Sequence, residues 1–154
     1  MRRSSRFRPA LIALCVVYCG PAQSESASMS FFVTSVGKGD GASLGGLEGA
    51  DAHCAALAKA AGATKTNWHA YLSTTGAMGE AGINARDRIG KGPWTNAKGD
   101  TIAKSVEVLH SDANNLTKQT ALSEKGVPIS GRGDAVNMHD ILTGSDPEGR
   151  YSTA

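Results

Sequence analysis

Past residue 24 few side chains carry chemistry of their own. They are Cys54, the histidines His53, His69, His110 and His139, the tryptophans Trp68 and Trp94, and the acidic pair of Asp146-Pro147-Glu148. The histidines form no H-x-x-x-H or H-E-x-x-H pair, and with a single cysteine beside them they do not spell a zinc site. His139 and Asp140 are adjacent, the wrong geometry for the orienting hydrogen bond of a triad, and no G-x-S-x-G elbow occurs. A nucleophile, a base and an orienter therefore do not come together, and the chain does not read as an enzyme. Calcium needs clustered oxygen ligands. Asp146 and Glu148 flank a proline beside glycines, which is turn chemistry, so no metal or other cofactor is expected. The flat rings of Trp68 and Trp94 suit either of two roles, stacking on a sugar ring or packing in a core.

Cys54 sits on a helix that the spacing predicts. Ala50, Cys54, Leu57, Ala58 and Ala61 fall on one face, with Glu48 and Asp51 in the first turn, Lys59 in the last and Gly62 just beyond. The face is thin, so this helix should lie close against a sheet. A thiol there acts as a small hydrophobe, pairs with another chain, or has lost its partner. His53 points about 100° away on a helix and is no activating neighbour.

The other elements are short. Ser30 to Ser35 and Trp68 to Ser73 read as strands. Asn84 to Ile89 and Ser105 to His110 read as helical turns. Trp94–Ala97 and Thr101–Ala103 form a hairpin around Lys98-Gly99-Asp100. The polar stretch from Asp112 to Asp134 reads as a loop with one brief strand, Val127 to Ser130. Met138 to Thr143 reads as a last strand before the turn Gly144–Gly149. The loop from Val36 to Gly46 matches neither G-x-G-x-x-G nor a P-loop. Arg86-Asp87-Arg88 reads as a solvated turn with a local ion pair, and Arg132-Gly133-Asp134 as a loop turn.

Residues 1–24 have the form of a secretory signal: a basic start, an apolar run from Ala10 to Gly20, then Ala22-Gln23-Ser24. That run is short of the roughly 20 residues that span a bilayer. Without Arg2, Arg3, Arg6 and Arg8, 12 basic residues face 14 acidic ones, which is no footprint for nucleic acid. One domain, 25–154, remains.

Several blocks of this domain resemble a known family. They are Phe32-Val33-Thr34-Ser35, Leu44-Gly45-Gly46-Leu47, Gly49-Ala50-Asp51-Ala52-His53-Cys54, Trp68-His69-Ala70-Tyr71-Leu72-Ser73, Ala85-Arg86-Asp87-Arg88-Ile89, Gly92-Pro93-Trp94 and Leu142-Thr143-Gly144-Ser145. Their order resembles bacterial secreted lectin-like proteins of the C-type-lectin-like and endostatin-like superfamily, over about Phe31 to Gly149. The resemblance implies an α+β fold of antiparallel strands, one main helix and long loops. It implies a bond from the cysteine of the first helix to one in the last strand. No later cysteine exists here, so Cys54 is a disulfide candidate whose partner is absent or external, and the chain reads as shortened at its C-terminal end relative to the family. The function implied is an exported, non-enzymatic carbohydrate-binding protein, secreted or periplasmic. The alternatives are a structural or adhesive protein that binds protein ligands through the same fold, and a secreted hydrolase. Trp94, Asp146, Glu148 and Asn137 are the ligand-binding candidates, chosen on exposure and chemistry.

Overall fold

A computed structural model describes residues 28–41, 43–76, 80–138 and 140–152. The expected signal at 1–24 and His139 lie outside the described residues.

The long helix α1 runs Gly46–Ala60, with Glu48 in its first turn and Lys59 in its last. Its end is a Schellman arrangement: Gly62 N–H donates to the Lys59 carbonyl and Ala63 N–H to that of Ala58, both at 3.0 Å. Gly62 supplies the left-handed residue this requires, at φ +83. Ala50 and Ala58 are buried, while Cys54, Leu57 and Ala61 are half-buried, so the face read from spacing is the packed one. Two single-turn helices follow, α2 (Ala85–Arg88) and α3 (Val106–Leu109). The Ser105 hydroxyl caps α3 by accepting from Val108 N–H.

Between them lies an antiparallel pair, β1 (Trp94–Thr95) and β2 (Thr101–Ala103), in the register Trp94 to Ala103 and Thr95 to Thr101 with an irregularity between Trp94 and Thr95. Trp94, Ile102 and Ala103 form the core cluster, closed over by Phe31, Ile89, Val106, Val108 and Leu109. Met29 and Leu122 are also fully buried.

Four expected strands are not ladders. The segments 30–35, 68–73 and 127–130 are irregular, as are the described residues of 138–143. Extended backbone is present, but its polar groups find other partners. Val33 joins Ser123 in a single parallel bridge, and Ser35 N–H donates to the Glu124 carboxylate at 3.0 Å. Ala70 gives its N–H to Asp51 and its carbonyl to Arg88, so both positions a strand would use are occupied by side chains. Ser73 N–H reaches the Thr143 carbonyl at 2.9 Å, and Met138 N–H reaches Ser130 at 3.0 Å, as isolated bonds. Pro128, which has no N–H to give, is limited to one bridge with Leu122. The helix α1 accordingly docks on irregular chain through Asp51 and through His53, whose Nε2 lies 3.0 Å from the Val36 carbonyl. The hairpin packs instead on α3. Among the described residues no helix is long and apolar enough to cross a membrane.

Candidate functional site

An open groove of about 180 Å³ lies between the segments 65–68 and 89–94, and both tryptophans border it. Trp68 is fixed from two sides. Its indole N–H donates to the Lys65 carbonyl at 2.9 Å, and its ring meets Phe32 edge-on at 5.0 Å. Trp94 comes up from β1, but only 8% of it is exposed. Its ring is covered by the chain just before it: a Cβ on Gly92 would stand 2.9 Å from Trp94 ring carbons, so only glycine fits there. The Gly92–Pro93 peptide is cis. Ser30 ties the N-terminal segment to this wall, its hydroxyl accepting from Thr95 N–H at 2.9 Å and donating to the Pro93 carbonyl at 3.3 Å. Asn67, Lys65 and Lys91 supply exposed polar groups at the rim.

Of the four ligand-binding candidates, the groove takes only Trp94, and it takes it as a wall rather than as a stacking platform. Asp146 shapes the last turn: its carboxylate accepts from Arg150 N–H at 2.7 Å and its carbonyl from Gly149 N–H at 3.0 Å. Glu148 is exposed, and its carbonyl accepts from Arg86 at 2.9 Å. Asn137 is exposed between Val136 and Met138. None of these three lines the groove. Among the described residues no three His, Cys, Asp or Glu side chains converge as a metal site would require.

Arg88 is not part of a solvated turn. Its side chain is 14% exposed and reaches the carboxylate of Asp51 at 2.7 Å, while Nη1 also holds the Ala70 carbonyl at 2.5 Å. Neighbouring Asp87 accepts from Asn84, not from an arginine. His69 adds its Nδ1 to the same Asp51 carboxylate at 3.1 Å. Burial alone would raise the pKa of Asp51. The Arg88 hydrogen bond, the Ala70 N–H and His69 outweigh it and hold the carboxyl below its ordinary range. One turn along α1, burial pushes the Cys54 thiol up; Asp51 adds to this and Arg88 opposes it. Cys54 is a free thiol, and this setting disfavours a thiolate. The sequence carried one signal for this cluster. Asp51 flanks the apolar face of α1, where a carboxylate needs a partner.

A second tie joins α3 to the segment before Thr74. The Nδ1 of His110 lies 2.7 Å from the Val106 carbonyl, which requires a proton on that nitrogen. In the neutral ring Nε2 then accepts from the Tyr71 hydroxyl at 2.8 Å. Burial raises the pKa of Tyr71, helped by Asp146 and opposed by Arg86, so its hydroxyl keeps the proton it donates. Asp134 of Arg132-Gly133-Asp134 is likewise engaged, accepting from Gly131 N–H at 2.7 Å and Lys118 at 2.8 Å. These clusters bind chain segments to one another. The residues that border the groove face an opening.

No family model matches the sequence, and neither a curated protein nor a solved structure was found that resembles it.

Proposed function

We propose that this chain is an exported, non-enzymatic carbohydrate-binding module of the C-type-lectin-like and endostatin-like α+β class, acting in the periplasm or outside the cell. The observation that carries this reading is the groove, where two tryptophans, an asparagine and two lysines border one opening. A sugar ring has an apolar face and a rim of hydroxyls. The Trp68 ring suits the face, and Asn67 with the lysines suits the rim. At about 180 Å³ the groove is smaller than the roughly 300–1,000 Å³ of drug-sized sites, so it fits one ring of a longer chain. Affinity for a single sugar should then be modest, with Kd on the order of 1 mM. The reading invokes no metal or cofactor.

A second reading, an adhesive protein that binds protein ligands, is favoured by a different observation. Val127, Val136, Met138, Ile141 and Leu142 are each 50–89% exposed, and a protein partner would cover such apolar surface.

Intrinsic fluorescence separates the two. Both tryptophans of the chain border the groove, so a saccharide seated there must change their emission. Titration of the full chain with neutral and acidic oligosaccharides should give a saturable change. Trp68→Leu, which keeps apolar bulk and loses the flat ring, should weaken binding by about three- to tenfold. Binding to a protein partner that no saccharide competes for, with emission unmoved by sugars, would replace the first reading with the second.

A further inference from the structure

We propose that the groove selects acidic saccharides over neutral ones, an inference that rests on the carbohydrate reading above. The charged residues among its described lining are Lys65 and Lys91, one on each bank, and no aspartate or glutamate is among them. Neither lysine has an ion-pair partner among the described residues. Among the described residues the ion pairs join Asp51 to His69 and Arg88, Asp134 to Lys118, and Glu124 to Lys125. Two positive charges beside a small opening attract an anion and hold it by charge-assisted hydrogen bonds. The remainder of the lining is aromatic or uncharged, which suits the ring that carries the anion: Trp68 takes the ring and the lysines take its acidic substituent. That substituent is a carboxylate, as in uronic acids, or a sulfate ester. Both present anionic oxygens to an ammonium group. The charge of the molecule as a whole does not create the preference, because past residue 24 acidic residues outnumber basic ones.

The test compares the full chain with Lys65→Glu/Lys91→Glu, and with Lys98→Glu, which changes charge in the hairpin turn outside the groove. Each is titrated with uronate, sulfated and neutral oligosaccharides of equal length. The parent should bind an acidic series about tenfold more tightly than the neutral one, and lose that margin between about 0.05 and about 0.5 M salt. The double variant should lose the margin, its affinity for the acidic series falling about tenfold further than its affinity for the neutral one, and Lys98→Glu should keep it. Tighter binding of the uronate or of the sulfated series identifies the acidic group. Equal binding of acidic and neutral series overturns the charge preference and leaves the carbohydrate reading standing. An equal loss in Lys98→Glu overturns the assignment to the groove. Failure of all three series to bind overturns both.

Discussion

Gly149 shows how tightly single residues are fitted where the last turn meets Tyr71 and His110. It is buried at φ +77, and its carbonyl accepts from Arg86 N–H. A Cβ there would fall 2.2 Å from His110 Nε2 and 2.8 Å from the Tyr71 hydroxyl, breaking into the hydrogen bond between them. Gly62 has a similar φ of +83, but a Cβ there would meet nothing within 4 Å. The pair therefore separates backbone strain from collision. Gly62→Ala should cost about 1–2 kcal/mol, the left-handed penalty alone. Gly149→Ala should cost about 2–5 kcal/mol, because overpacking adds to it. Urea unfolding midpoints of the two variants measure the difference. Equal losses would mean that the Tyr71–His110 tie yields without cost. From sequence, Gly62 was legible, since it follows a periodic helix. Gly149 was legible only as a turn residue, because the histidine and tyrosine it must clear lie 39 and 78 positions upstream.

Among the elements, the hairpin shows the same boundary between local and distant information. Lys98-Gly99-Asp100 marks a connection, and one is present, but β1 ends at Thr95 rather than Ala97. The cause is Asn96, which is fully buried and closes the loop with its own amide. Its oxygen accepts from Lys98 and Asp100 N–H at 2.9 and 3.0 Å, and its nitrogen donates to the Asp100 carboxylate and the Thr120 carbonyl, each at 3.1 Å. Asn96→Ala should therefore cost about 1–3 kcal/mol and leave the loop amides without an acceptor. Hydrogen exchange at Lys98 and Asp100 should speed up more than at Ile102 in β2. Uniform acceleration would mean that the amide stabilises the whole domain rather than the loop. Elements whose bonds close locally were readable: α1, the two short helices and the hairpin. Segments such as 68–73 have strand-like alternation, but alternation fixes an extended shape and not a partner. Asp51 and Arg88 took the partner's place. The groove divides in the same way. Trp68 and Trp94 stand out by type, whereas Lys65 and Lys91 matter only because 65–68 comes to lie beside 89–94.

For the molecule as a whole, polar ties between distant segments have a large share in holding the fold. Among the described residues the β-ladder takes in five residues, and several of the buried apolar side chains are alanines. Contacts such as Asp51 with Arg88, Ser35 with Glu124, Tyr71 with His110, and Asn84 with Tyr151 span the gaps between irregular segments. A fold tied by ionised acceptors should be sensitive to acid, and Asp51 gives the sign. Its folded pKa lies below the ordinary 3.8, so in the acid window the unfolded chain binds a proton that the folded chain resists. The stability contributed by Asp51 is complete above the unfolded value and is lost as pH falls through the lower folded value. The urea midpoint should stay nearly level from about pH 7 to about pH 5 and drop below about pH 4. Asp51→Asn has no such proton to take up. It should be less stable than the parent at neutral pH, because Arg88 loses its counter-charge in a 14% exposed setting, yet fall less steeply in acid. The two curves should converge as pH drops. Parallel curves would show that Asp51 remains equally satisfied in the unfolded chain, and that the tie between α1 and Arg88 does not contribute to folding.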